Sequence, residues 1–205
     1  MNIFRWYPSI KVGPRGPMIR RSPLHLRQSD LDGACGPHCA LMALMALGIV
    51  ARQQVENLPN ARNKSLSCLW SNTERNYFAG TNARELKSTL ASYAEDIDAK
   101  IFLKNCVDHA LDALSSSGMA IIGIKNGAFD HWVLAIGLGG SERKSGFTPS
   151  SFLILDPGYS PNPLSAWNAT LSITRDSRER HLYKTRHGGM RVRIQDLIVI
   201  QKREP

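Results

Sequence analysis

The sequence predicts an α+β fold, with helices in its first part and a largely antiparallel sheet in its second. Before Gly118 the apolar residues recur mostly at helical spacing. After it they fall into short, β-branched runs separated by turn-forming stretches. Helical segments followed by strand segments, with no internal repeat or low-complexity tract, define the α+β class. The 205 residues suffice for one domain with a proper core.

Residues 1–27 read as an extended arm, because Pro8, Pro14, Pro17 and Pro23 are spaced too closely for a helix. Residues 28–205 read as one domain. From Cys35 to about Leu47, Ala, Leu and Met run without a breaker, a buried helix ended by Gly48. Residues 57–82 are rich in Asn and Ser and predict short helices and loops. Asn82 and Glu85 have the spacing of a capping box, with Leu86, Leu90 and Tyr93 following at helical intervals. A further helix is expected over about 105–116, where Val107, Ala110, Leu111 and Leu114 share a face. Strands are expected at 119–124, 131–138 and 151–155, with others at 171–174 and 192–200. Lys125-Asn126-Gly127 supplies a hairpin turn between the first two.

The chain has a formal net charge of +9, an apolar share of 42% and a charged share of 21%. Basic residues load the N-terminal arm and the C-terminal quarter, without the aromatic interleaving, helix motif or finger spacing of a nucleic-acid binder. This argues for a basic solvated surface and against nucleic acid as partner. No stretch approaches the ~20 apolar residues of a membrane span. No N-terminal segment reads as a secretory signal, so a cytoplasmic location is expected. In that setting the four cysteines, Cys35, Cys39, Cys68 and Cys106, read as reduced thiols.

Cys35 stands behind Gly33-Ala34, before Gly36-Pro37, at the mouth of the apolar helix. The unpaired N–H groups of a first helical turn favour thiolate over thiol. Among the six histidines, His131 stands out because it opens a strand, in Phe129-Asp130-His131-Trp132-Val133-Leu134. A structural histidine bonded to a backbone carbonyl fits that position as well. The next strand ends in Leu155-Asp156-Pro157-Gly158, and a carboxylate ending a buried strand must find a partner or cap the turn. If those strands are neighbours, Asp156 would orient His131 as the third member of a triad. Gln28 offers a side-chain amide which, with the Cys35 N–H, could form an oxyanion hole. Asp30 and Asp32 are nearer but would repel an oxyanion.

Gln28, Asp32-Gly-Ala-Cys-Gly-Pro37, His131-Trp-Val-Leu-Ala-Ile-Gly137 and Leu155-Asp-Pro-Gly158 together resemble a papain-like cysteine peptidase. The compact spacing is similar to the bacterial double-glycine (bacteriocin-processing) peptidases and their stand-alone relatives. The resemblance spans about Gln28 to Gly158. It implies a papain-like fold, with the nucleophile at a helix N-terminus and an antiparallel sheet carrying His and Asp. It also implies Cys35 as nucleophile, His131 as general base, Asp156 as its orienter and Gln28 in the oxyanion hole. Gln28 precedes Cys35 by seven residues, one more than that group's spacing. No transporter domain is attached, and the basic stretch after Trp167 has no assigned counterpart.

The expected activity is therefore cleavage of a peptide or isopeptide bond through an acyl-enzyme, without metal or cofactor. Acyl transfer and glutamine deamidation use the same constellation. The expected partner is a peptide or protein substrate, with a bias toward acidic chains or a ubiquitin-like protein. Two other readings compete. Cys35-x-x-His38-Cys39 with Cys106-x-x-His109 could hold zinc. Alternatively, the domain could be an inactive binding module. Cys39, Cys68 and Cys106 read as packing residues, and Trp132 as a wall of the site or simple core.

Overall fold

Six strands close into an antiparallel barrel. They are β6 (Met119–Asn126), β7 (Phe129–Arg143), β8 (Gly146–Leu155), β9 (Ala169–Arg175), β10 (His181–Thr185) and β11 (Gly188–Lys202). Each pairs with the next in sequence, and β11 returns to β6 with Ile198 opposite Ile121, which completes the ring. The computed structural model describes residues 1–29, 32–127 and 129–203.

This corrects the expected fold class. The chain is mostly β, 40% strand and 26% helix, around a closed barrel; it is neither the α+β nor the papain-like helix-plus-sheet arrangement expected above. The expected strands exist, but the β11–β6 pairing that closes the ring joins segments far apart in sequence and leaves no local pattern. Closure needs strong coiling, and register shifts lie where it is needed: at Ala135/Gly137 and Gly139/Gly140 in β7, and at Ile194/Asp196 in β11. Gly137 is obligatory, since a Cβ there would fall 2.2 Å from the Arg5 carbonyl oxygen of an adjoining strand.

The two faces of the barrel strands bury different things. Ile122, Val133, Phe152, Ile154, Leu171, Tyr183 and Val192 turn inward and form one cluster, which also receives the helix α5 (Cys106–Ser115). Met119, Leu134, Leu153 and Ile198 turn outward, under the second cluster. That cluster is built on α1 (Cys35–Ala46), every residue of which is buried. α1 ends as expected, with Gly48 at φ +75°. Asn82 caps α4 (Ala83–Leu90) through the expected box, its side chain accepting from Arg84 and Glu85 N–H while Glu85 accepts from Asn82 N–H.

Residues 1–27 form β1 (Asn2–Trp6), which pairs with β7 at Gly137–Ser141, and a small sheet of β2 (Ile10–Gly13), β3 (Gly16–Ile19) and β4 (Ser22–Pro23). Two short helices, α2 (Arg52–Glu56) and α3 (Lys64–Glu74), follow α1, and β5 (Ile97–Phe102) pairs with β11. The β6–β7 hairpin turns at Gly127, φ +56°, and its next residue lies outside the described ones. No helix among the described residues is long and apolar enough to cross a membrane.

Candidate active site

Strand parity explains how His131 and Asp156 meet. His131 shares the inward face of Val133, and Asp156 that of Phe152 and Ile154, so both project at one rim of the barrel. Leu134 pairs with Leu155, and continuing that register past the strand end brings Gly158 level with His131. His131 Nε2 lies 2.6 Å from Asp156 Oδ1. The Gly158 N–H donates to the same oxygen at 2.7 Å. A Cβ at Gly158 would stand 3.2 Å from that oxygen and 3.5 Å from His131 Nε2, so a side chain would crowd the pair.

Cys35 is the first residue of α1, whose N-cap, Ala34, has no side-chain oxygen to satisfy the first-turn N–H groups. The Trp132 N–H donates to Cys35 Sγ at 3.5 Å, and the Trp132 carbonyl accepts from Cys39 Sγ at 3.5 Å. One residue of β7, Trp132, thus ties down two turns of α1 and sets the thiol beside His131. Gly36 permits the approach: a Cβ there would lie 2.2 Å from Thr81 Oγ1. The Cys35 thiol itself donates to the Gly33 carbonyl at 3.9 Å, and with Nε2 committed to Asp156, Nδ1 is the His131 nitrogen left free of that pair.

Burial pulls the His131 pKa down, but hydrogen bonds to Asp156 and Cys35, with their negative charge, outweigh it and raise it to about 10. The raised value favours the protonated ring. Burial raises the Cys39 thiol well above the usual range, which leaves it neutral and a packing residue. Of the six histidines, only His131 meets a side-chain carboxylate among the described residues. His25, His38 and His181 bond backbone carbonyls, while His109 stacks on Phe102 and His187 on Tyr159.

Asp156 is fully buried and has no Lys or Arg partner among the described residues. It is held instead by groups that the sequence did not single out. The Tyr183 hydroxyl, from inside the barrel, donates to Asp156 Oδ2. Asn168 brackets the backbone, accepting from Asp156 N–H at 2.7 Å and donating to its carbonyl at 2.9 Å. His25 Nε2 donates to that carbonyl at 2.9 Å. Tyr183 alternates correctly with His181 for a strand, a signal masked by the charged residues around it. Asn168 carries no sequence signal.

Gln28 reaches the site through its backbone, donating to the Pro157 carbonyl at 2.9 Å. Its Nε2 donates to Asp32 O at 3.3 Å, and its Oε1 is buried with no partner among the described residues. Burial pushes Asp32 up, but hydrogen bonds from Ser29 and Ala34 outweigh it and hold its carboxyl below the usual range. Asp30 lies outside the described residues.

Gln28, Cys35, Thr81, His131 and Trp132 line one open cleft of about 660 Å³. Asp32, Glu85, Asp130 and Asp196 complete its walls, and no Lys or Arg lines it among the described residues. A cavity of about 560 Å³ between α4 and β5 contains no comparable nucleophile–base pair. Cys106 and His109 belong to α5 against the other cluster, away from Cys35 and His38. Among the described residues no group of three or more His, Cys, Asp or Glu side chains is placed to hold a metal ion.

The sequence matches no protein-family model, and no curated protein matches it in comparison.

Proposed function

We propose that the protein is a cysteine peptidase in which Cys35 is the nucleophile, His131 the proton carrier, Asp156 its orienter and Gln28 an oxyanion donor. The observation that supports this most is the His131 Nε2–Asp156 Oδ1 pair at 2.6 Å, with His131 and Cys35 lining one cleft at a helix start and a strand end. Burial alone would hold a histidine neutral. Here the Asp156 carboxylate offsets burial and favours the imidazolium, the partner that a reactive thiolate needs.

The Cys35 thiolate attacks the substrate carbonyl carbon, forming a C–S bond and an oxyanion. The Cys35 N–H and the Gln28 amide donate to that oxyanion. As the C–N bond breaks, His131 gives its Nδ1 proton to the leaving amine. The oxyanion charge leaves with the nitrogen and is neutralised by that proton; sulfur is now a neutral thioester, so His131 no longer faces a thiolate and becomes a base. It takes a proton from water, which attacks the thioester; the C–S bond breaks and the thiolate–imidazolium pair returns. An amine in place of water gives transfer.

The walls of the cleft bear on the substrate. The expectation of an acidic partner rests on the net charge of the whole chain, whereas the surface around Cys35 carries four carboxylates. Asp196 is half-buried, its carboxyl raised by burial and by the neighbouring charge of Asp130. A lysine or arginine side chain on the substrate relieves that repulsion, so a basic peptide segment is the substrate class we favour.

Incubating a proteome-derived peptide mixture in ¹⁸O-water tests the reading. Wild type should create new C-termini carrying ¹⁸O, and Cys35→Ala should create none. Absence of Cys35-dependent termini overturns it, and ¹⁸O at glutamine side chains would indicate deamidation instead.

A further inference from the structure

The inward face of the barrel is apolar around Tyr183, with Phe152, Ile154, Leu171 and Val192 in the same cluster. Tyr183 is fully buried there, at 0% exposure. A phenylalanine would fill the same space, and a hydroxyl in such surroundings is costly unless bonded. Among the described residues the Tyr183 hydroxyl bonds Asp156 Oδ2 alone. The other carboxylate oxygen already serves His131 Nε2 and the Gly158 N–H. Tyr183 is the sole donor to Oδ2 among the described residues, and without it that oxygen is buried and unpaired.

We propose that Tyr183 is a positioning residue: its hydroxyl holds the Asp156 carboxylate turned toward His131, and through that pair keeps Cys35 reactive. The proposal rests on the reading of Cys35 as nucleophile given above. A carboxylate that accepts on both oxygens is fixed in plane and in charge. Once Oδ2 loses its donor, the Asp156 carboxylate is free to turn away. His131 then loses the partner that orients it toward Cys35.

The other groups facing this pair do not substitute for the hydroxyl. His25, from the N-terminal segment, reaches only the Asp156 backbone carbonyl, and burial pushes it toward neutrality. Cys39, from α1, is kept a neutral thiol by burial and bonds the Trp132 carbonyl, not the carboxylate. Tyr159, from the loop after β8, interacts with Tyr183 without a hydrogen bond to the carboxylate. His131 itself bonds the other oxygen, Oδ1.

The test is the rate of Cys35 alkylation by iodoacetamide as a function of pH, read by mass spectrometry on the full chain. Wild type should stay reactive well below the ordinary thiol value of about 8.5. Tyr183→Phe should move the acid limb up by about one pH unit, and Asp156→Asn at least as far. The double variant should move it no farther than Asp156→Asn alone, because the tyrosine acts through the aspartate. A Tyr183→Phe profile that superimposes on wild type overturns the proposal, as do shifts that add in the double variant. If wild type itself titrates like an ordinary thiol, the nucleophile reading fails first and takes this one with it. Should Tyr183→Phe not fold, 3-fluorotyrosine at 183 keeps the shape and donates more strongly. The limb must then move to lower pH, and an unmoved limb overturns the proposal.

Discussion

The backbone N–H of Trp132 donates to Cys35 Sγ at 3.5 Å, so the strand that carries the proposed base also holds the proposed nucleophile. His131 and Cys35 are placed by one peptide unit of β7, and the geometry of the pair depends little on loops. Substitutions at the three reacting or orienting positions should therefore alter rate before they alter fold.

His131→Ala should lower turnover by ~100–10,000-fold, the usual worth of a positioned acid–base group. Asp156→Asn should cost less, since the ring keeps a hydrogen-bond partner while losing the anion that charges it. Steady-state kinetics on any cleaved peptide decide the order. A larger loss for Asp156→Asn, in a variant whose circular dichroism matches wild type, would remove Asp156 from the orienting role.

Gln28→Ala should reduce turnover by ~100–1,000-fold with little change in KM, because an oxyanion donor acts chiefly in the transition state. Its Oε1 has no partner among the described residues, so truncation removes an unsatisfied acceptor and the fold should be no less stable. Equal kcat in wild type and variant would leave the Cys35 N–H as sole donor.

Stability should depend on pH through His131. Its pKa is raised from 6.5 to about 10 in the folded protein, so the folded state binds the proton more tightly than the unfolded chain. That contribution is fully present below about pH 6.5 and is lost as pH rises through about 10. The difference in thermal midpoint between wild type and His131→Gln should be largest near pH 6 and shrink toward about pH 10. A difference that widens with pH contradicts the charged pair.

Asp196→Asn should raise KM about fivefold for a peptide with a basic residue near the scissile bond, the effect of a partly screened charge pair of ~1 kcal/mol. For the same peptide with glutamine at that position KM should be unchanged. Asp130→Asn should do less, because Lys125 already lies 3.1 Å from its carboxylate. Equal effects on both peptides would separate cleft charge from selectivity.

Much of the candidate site was legible because its members sit at element ends with strong local signals. Cys35 follows two small residues at the head of an apolar run, and Asp156 breaks one at Pro157-Gly158. The helices α1, α4 and α5 were legible for the same reason: breaker, capping box and apolar spacing are local properties. The barrel was not. The 15-residue strands β7 and β11 are shared between different neighbours along their length, and the register shifts that let them curve depend on partners far away in the chain. β3 and β4 were hidden by prolines that suit short edge strands as well as they suit coil, and β1 and β2 by Pro8 and Pro14 beside them. Tyr183 and Asn168 become meaningful only once the barrel brings them to Asp156.

Thiol reactivity tests the central claim most directly. Cys35 is 7% exposed while Cys68 is on the surface, so accessibility alone favours labelling at Cys68. With limiting iodoacetamide near pH 6, where an ordinary thiol of pKa about 8.5 is almost wholly protonated, Cys35 should be labelled first. His131→Ala should abolish that preference. Cys35 reacting no faster than Cys68 and Cys106 in wild type would contradict the account.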